Sequence, residues 1–306
     1  MTTELTADDV TQARSVNFRD KDLYRLLRTL FHDPFSTTAA IILIVLVIVA
    51  IAAPVLSPFD PTAQSLLRRL TPPAWVEGGS EANLLGTDLL GRDMLSRIIY
   101  GTRMSLMIGV VVVVIAGIIG TIIGMLAGYL GGRFDAIAMR FIDFQTAIPY
   151  FLLAMTIMAA IGPGARNLII VLSLGSWVIF ARLARGTMLS IRHAVYIEAA
   201  RVTGGSEYWI LVRHALPNLT STIVTLATLE LSRAILTEAG LSFLGLGVQP
   251  PNSAWGLMVA EGHDYISTAN WLSTFPGLMV MITTLSINVF ATWLRKATDP
   301  VQRGRM

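Results

Sequence analysis

The chain of 306 residues contains no cysteine and only two lysines, Lys21 and Lys296. Without cysteine it can form no disulfide, no thiolate metal site and no cysteine nucleophile. Both lysines lie near the ends of the chain, and neither stands in a G-x-x-x-x-G-K-[ST] sequence. Because the P-loop mode of ATP binding requires that lysine, this mode is excluded.

Charged residues are scarce as well. They make up 14% of the chain, well below the level of ordinary soluble domains, whereas hydrophobic residues make up 54%. This composition predicts a membrane protein. The net charge of +3 is a small excess of arginine, which in a membrane protein reflects topology, so we exclude nucleic-acid binding.

Six apolar runs approach the roughly 20 residues that a helix needs to cross about 30 Å of hydrocarbon. We therefore predict an all-α, polytopic membrane protein with six transmembrane helices. The runs are 39–56, 104–130, 141–161, 168–183, 219–235 and 272–293.

The distribution of lysine and arginine predicts the orientation. With the N-terminus in the cytoplasm, 16 of these residues lie in cytoplasmic segments and 6 in external ones. Cytoplasmic segments of membrane proteins carry the positive excess, so we expect both termini in the cytoplasm. The predicted parts are a cytoplasmic N-terminal segment (1–38), a first transmembrane helix (39–56), an external subdomain (57–103), a core transmembrane domain (104–295) and a cytoplasmic tail (296–306).

A less apolar segment, YIEAARVTGGSEYWILVRHALP (196–217), separates the fourth run from the fifth. We call it the E-A-A loop. Gly204, followed by a second glycine, predicts a sharp end to a first helix, because glycine accepts the left-handed conformation. Ser206 can cap a second helix, which we expect to end at Leu216 and Pro217. The pattern predicts two short helices joined by a tight turn at the cytoplasmic face.

From Glu198 the loop reads E-A-A, three residues, G, nine residues, a hydrophobic position, one residue and L-P. This pattern resembles that of the membrane subunits of ATP-binding-cassette importers. His214 stands at the hydrophobic position, where isoleucine is usual. The stretches LLGTDLLGRDMLSRIIYGTRMSL, WVIFARLARG and LSFLGLGVQPPNSAWG are similar to the C-type permease of dipeptide and oligopeptide importers. The resemblance extends from about Asp33 to the C-terminus. The residues that match the loop motif are Glu198, Ala199, Ala200, Gly204, Leu216 and Pro217.

This resemblance implies the type I importer permease fold, with cytoplasmic coupling helices, in the inner (plasma) membrane. It implies a non-catalytic subunit that forms half of a translocation pore and couples it, through the E-A-A loop, to ATPases. The implied partners are a homologous second permease in a heterodimer, two ATPase subunits that bind ATP and Mg, an external substrate-binding protein and membrane lipid. It implies no cofactor in this chain, and we assign it no metal site.

Two further groups of residues are candidates for roles inside the membrane. The second run carries Gly120, Gly124 and Gly128 at four-residue spacing, a stripe that lets another helix approach closely. Charged residues at membrane depth are expensive and face either a partner or a watery path. The candidate pathway residues are Gln145, Glu230, Arg233 and Glu238.

Several alternatives remain open at this stage. The E-A-A loop could lie on lipid, but such a helix carries Lys or Arg along its polar face, whereas this one has alanines, a glutamate and two glycines. A secondary transporter would need no ATPase, and a structural or insertase-type protein would not need the loop. Peptides are the favoured cargo on resemblance alone, ahead of nickel, opines or sugars.

Overall fold

The structure, a computed structural model, describes residues 30–298. Most of the predicted N-terminal segment (1–38) and of the tail (296–306) lies outside these residues. Within these residues the regular secondary structure is helical, and there is no β-strand. Two short helical turns, Ala53–Leu56 and Leu66–Arg68, are left unnumbered. The helices are α1 (Pro34–Ile51), α2 (Met94–Leu130), α3 (Gly132–Thr146), α4 (Tyr150–Ile161), α5 (Ala165–Ile191), α6 (Val195–Val202), α7 (Glu207–Phe243), α8 (Trp255–His263) and α9 (Trp271–Thr298).

Five single helices are long and apolar enough to cross a membrane, namely α1, α2, α5, α7 and α9. Helices α3 and α4 pass the same test together, although they are bent by 84° at the break between them. Counted as one broken span, this bent pair is the sixth candidate crossing. The predicted all-α architecture with six membrane crossings is therefore confirmed.

Most helix boundaries differ from those of the predicted apolar runs, and two differences matter most for the architecture. Helix α1 ends at Ile51 and is followed by a separate turn, so it stops five residues before the predicted end. Helix α2 begins at Met94, ten residues before its apolar run, because the side chain of Asp93 caps it by accepting a hydrogen bond from Ser96 N at 2.8 Å. At about 1.5 Å per residue α2 is roughly 55 Å long, which exceeds the hydrocarbon thickness of about 30 Å. The last ten residues of the predicted external subdomain (57–103) are therefore helical and form the start of α2.

Residues 57–93 and 244–270 gather at one end of the bundle, and we call them together the lobe. Trp271 Nε1 donates to Thr87 O at 3.2 Å, and the rings of Trp75 and Phe275 meet edge to face at 6.0 Å. The E-A-A loop packs at the opposite end, against the last turns of α2 and α5. The end of α9 lies away from the lobe, because α9 begins beside the lobe at Trp271. The start of α1 lies near that end of α9, since Lys296 acts electrostatically on Asp33.

A buried ion network joins the two parts of the lobe to α2. Asp88 accepts hydrogen bonds from Arg92 Nε at 2.6 Å and from Arg97 Nη1. Glu261, on α8, accepts from Arg97 Nη2 at 2.7 Å. Asp88, Arg92 and Arg97 are almost completely buried, so each charge depends on its partners for the solvation that water no longer supplies. The network therefore fixes α8 against the start of α2.

The glycine stripe of α2 lies against α5 of the same chain. A Cβ on Gly120 would lie 2.6 Å from Phe180 Cβ, and one on Gly128 would lie 2.7 Å from Met188 Cβ. A Cβ on Gly124 would overlap the carbonyl oxygen of Ala181. Because these contacts leave no room for any side chain, the stripe allows the two helix backbones to touch.

Candidate functional site

The first helix of the E-A-A loop is α6. Ile197 and Ala200 are buried, whereas Glu198 and Ala199 are exposed. The E-A-A residues are therefore divided between the two sides of the helix. Ala200 faces the protein, and Glu198 and Ala199 face outward, where a partner could contact them.

Two glycines form the turn after α6, and they serve different purposes. Gly204 has a φ of +86°, in the left-handed region that favours glycine, and a Cβ there would meet nothing within 4 Å. A Cβ on Gly205 would lie 2.8 Å from Ala200 O and 2.9 Å from Trp209 Cε3. The predicted turn is present. Gly204 is required for its backbone conformation. Gly205, which was not among the candidate coupling residues, is required because a side chain there would collide with Ala200 and Trp209.

The second helix of the loop begins as predicted but does not end where predicted. Ser206 Oγ accepts a hydrogen bond from Trp209 N at 3.3 Å, which caps the start of α7. The expected end at Leu216 and Pro217 is wrong, because the helix continues to Phe243 after a π-helical turn at Leu211–Ala215. Proline lacks an N–H and its ring crowds the preceding turn, and the wider π turn gives it room. The loop thus joins the membrane-spanning part of α7 without a break.

The inner side of the E-A-A loop is fastened to α2 and α5. Ile197 and Ile210 are fully buried in a cluster that includes Met188. Arg201 Nη2 donates to the Tyr129 hydroxyl at 3.3 Å, and its Cζ lies 5.6 Å from the centre of that ring. The hydrogen bond to Tyr129 raises the pKa of Arg201, whose guanidinium is charged at neutral pH in any case. A displacement of the loop would therefore act directly on the last turns of α2.

The outer side of the loop exposes large apolar side chains. Val195 is 82% exposed, Val202 88% and Tyr208 77%. These residues lie on or beside the short helices at the end of the bundle. Exposed apolar groups clustered among polar ones are typical of a surface that binds another protein.

An acidic and a basic side chain of α7 meet at membrane depth. Arg233 Nη1 lies 3.6 Å from Glu230 Oε1, and the Arg233 guanidinium lies over the Tyr150 ring at 5.7 Å. The Glu230 side chain is buried, whereas that of Arg233 is 52% exposed. Arg233 stands ten residues before the end of α7, about 15 Å from it at 1.5 Å per residue. The structure therefore brings two of the four candidate pathway residues together, with Glu230 buried and Arg233 half-exposed beside Tyr150.

The other two candidate pathway residues are satisfied inside the chain. Glu238 differs from the expectation of a pathway position because it is 0% exposed. Ser105 Oγ donates to its Oε2 at 3.1 Å and Ser242 Oγ to its Oε1 at 2.8 Å, so two hydroxyls replace water. Gln145 is half-buried, with its Nε2 donating to Leu174 O at 2.6 Å. Glu238 thus ties α7 to α2, and Gln145 ties α3 to α5.

Comparison with known proteins assigns the chain to a family. Residues 120–303, more than half of the chain, match the family described as the binding-protein-dependent transport system inner membrane component. The chain belongs to this family. Residues 23–73 also match the N-terminal transmembrane domain of oligopeptide transport permease C. The predicted identity as a permease subunit of a binding-protein-dependent ABC importer is thereby confirmed.

Curated relatives of this permease extend over most of its length. It is 41% identical to the di/tripeptide transport system permease protein DppC of Pseudomonas aeruginosa over 269 residues, 88% of this chain and 89% of the relative. It is 38% identical to the probable D,D-dipeptide transport system permease protein DdpC of Escherichia coli (strain K12) over 281 residues, 92% of each. The match to the dipeptide permease DppC of the same strain is 41% over 265 residues, 87% of this chain and 88% of the relative.

A solved structure agrees with the fold. The permease is similar, with a TM-score of 0.54 and 19% sequence identity, to a chain of the MetNI methionine ABC transporter in an inward-facing conformation. The likeness covers 67% of this chain and 98% of that one. At this level of identity the match supports the type I permease fold alone.

Sequence reasoning missed three features of the permease site. The ring of Tyr150 lies against the Arg233 guanidinium. Tyr150 directly follows Pro149, at the bend between α3 and α4, and this proline was the sequence signal that could have indicated the bend. The contact of Arg201 with Tyr129 joins residues 72 positions apart, so no local pattern predicts it. The hydroxyl of Ser105 on Glu238 is a contact of the same kind, across 133 positions.

Proposed function

We propose that the chain forms one half of the translocation pathway of an importer for dipeptides and tripeptides. The observation that carries this proposal is Arg233, half-exposed at membrane depth on α7. An arginine facing lipid at the centre of a span is unfavourable by about 2.5–3.5 kcal/mol on insertion scales. The face of α7 that carries Arg233 is therefore covered by protein or by a water-filled path. A second, homologous permease in a heterodimer would supply the other wall.

The names of the relatives support peptides as cargo. The first is named for di- and tripeptides and two others for dipeptides. Short peptides carry a positive amino group and a negative carboxylate. Arg233 is half-exposed and already pairs with the buried Glu230 at 3.6 Å, so it can attract the carboxylate of a passing peptide without holding it tightly.

The E-A-A loop is the proposed contact with two ATPase subunits, which bind ATP and Mg outside this chain. Its exposed apolar side chains and its direct continuation into α7 support this assignment. Glu198, Ala199, Gly204, Leu216 and Pro217 would shape the docking surface, and Ala200 would hold α6 against the bundle. The chain itself would catalyse no reaction. An external substrate-binding protein would deliver the cargo to the lobe.

The proposed orientation in the bacterial inner membrane places the E-A-A loop and both termini in the cytoplasm and the lobe outside. Six crossings, with the bent pair of α3 and α4 counted as one span, support the placement of both termini on one side. The excess of lysine and arginine at the loop end supports the choice of that side.

Uptake by a strain lacking this permease, complemented with variants, tests the proposal. Wild-type chain should restore uptake of labelled dipeptides and tripeptides but not of nickel, an opine or a sugar. Arg233→Leu should insert normally yet lower peptide uptake at least tenfold, because it removes the charge from the path. Arg166→Leu is the matched control, since Arg166 is exposed at the start of α5, away from Arg233.

Two results would contradict the proposal. Full uptake with Arg233→Leu would mean that this face of α7 lines no path. Restoration of nickel, opine or sugar uptake instead of peptide uptake would reassign the cargo while leaving the permease assignment in place.

A further inference from the structure

A cavity of about 640 Å³ opens where α1, α2 and the lobe meet, at the end of the bundle opposite the E-A-A loop. Its volume lies within the range of about 300–1,000 Å³ that is typical of small-molecule sites. The proposed function does not use this cavity. The lining residues that bear on its chemistry are Pro54, Asp60, Tyr100, Arg103, Met104 and Met107.

The cavity carries one charge of each sign, and the two do not neutralise each other. Arg103 is exposed, and within residues 30–298 neither its guanidinium nor the Tyr100 hydroxyl has a hydrogen-bond or ion-pair partner. Asp60 accepts from Thr62 N at 2.8 Å and from the Thr62 hydroxyl at 2.6 Å, both through Oδ1. Its Oδ2 remains open. The cavity therefore offers donors for an anionic group and a separate acceptor for a cationic one.

The depth of the cavity in the membrane follows from the residues around it. The apolar run of α2 begins at Met104, directly after Arg103. Met107, one turn further, is 45% exposed, and Val55, beside the cavity wall, is 87% exposed. Side chains that change from charged to apolar over one helical turn, with an aromatic residue at the boundary, are typical of the headgroup level of a bilayer.

We propose that this cavity binds a phospholipid with a phosphoethanolamine headgroup. The phosphate lies on Arg103 and Tyr100, the ammonium faces Asp60, and the first part of an acyl chain lies along Met104 and Met107. Arginine and a tyrosine hydroxyl are suitable donors to phosphate oxygens. An apolar helix of a partner subunit fits the site less well, because it would remove Arg103 from water without replacing its hydrogen bonds.

Lipid retention by the importer, purified with its partner subunits from bacterial membranes, tests this site. Bound phospholipid is counted by native mass spectrometry after exchange into detergent with mixed phosphatidylethanolamine and phosphatidylglycerol. Arg103→Gln should lower retained phospholipid about tenfold, as expected for the loss of one hydrogen bond to a charged group. Arg103→Lys should restore most of it. Asp60→Asn should reduce the preference for phosphatidylethanolamine while phosphatidylglycerol remains bound.

The matched control is Arg69→Gln, which removes an exposed arginine from the same lobe outside the cavity. It should leave retention unchanged, and each variant is checked for wild-type elution and thermal midpoint. A phosphatidylethanolamine with a photoactivatable acyl chain should cross-link the start of α2, and Arg103→Gln should abolish that product. Equal retention by Arg103→Gln and Arg69→Gln, or undiminished lipid cross-linking of the start of α2 in Arg103→Gln, would overturn the proposal.

Discussion

Alanine substitution at two glycines of α2 should have opposite effects on stability. A Cβ on Gly124 would overlap the carbonyl oxygen of Ala181 and lie 2.8 Å from Ala181 Cα. A Cβ on Gly117, two turns earlier, would meet only the Phe180 ring, at 3.6 Å, which is ordinary van der Waals contact. The two variants add the same methyl group to the same helix. They differ only in what that group meets.

The expected magnitudes follow from this difference. In a helix interior alanine is favoured over glycine by about 0.5–1 kcal/mol, so Gly117→Ala should stabilise the protein by up to that amount. Gly124→Ala has the same gain but forces apart the backbones of α2 and α5, and such overpacking is unfavourable by about 1–3 kcal/mol or more. The free energies of unfolding of the two variants should therefore differ by at least about 1 kcal/mol, with Gly124→Ala the less stable.

The measurement is the unfolding midpoint of the purified, detergent-solubilised protein, followed by near-ultraviolet circular dichroism. Peptide uptake by the same variants provides a second readout, because separation of α2 from α5 should also lower transport. Equal midpoints for the two variants, or a higher one for Gly124→Ala, would refute the close backbone contact at the glycine stripe.

Gly204→Val should abolish transport but leave membrane insertion normal, because valine disfavours the positive φ at this position although there is space for its side chain. Gly204→Asn should retain part of the uptake, because asparagine tolerates the left-handed region. Wild-type uptake by the valine variant would mean that the turn is dispensable. Arg97→Met should lower the free energy of unfolding by about 3–5 kcal/mol by leaving buried Asp88 short of a partner, which chemical denaturation of the solubilised protein can measure. A change under about 1 kcal/mol would show that water reaches the network. Cysteines introduced singly at Ser80 and Ser190 should react with an impermeant thiol reagent from opposite sides of the membrane, and labelling from the same side would contradict the proposed topology.

The positions of the membrane-spanning helices along the chain, and the turn of the E-A-A loop, were predictable because their sequence signals are local. A run of apolar residues is sufficient to indicate a crossing, and the glycine pair with Ser206 is sufficient to indicate a turn and a helix start. The helix ends were less predictable. Whether Pro217 ends a helix depends on the geometry of the turn before it, and the π turn that accommodates this proline has no sequence signal of its own.

The candidate site shows the same division. The sequence by itself determined that this is a six-span permease with an E-A-A loop, that Gly204 forms its turn, and that Glu230 and Arg233 are unusual at their depth. Only the tertiary structure decided that Glu238 is enclosed by Ser105 and Ser242 while Arg233 stays exposed. A hydropathy profile assigns Glu238 and Arg233 similarly unfavourable values, so it cannot tell which of them is buried. Their environments differ because burial and hydrogen-bond partners depend on residues far away in the chain, which only the packing of α2, α5 and α7 brings together.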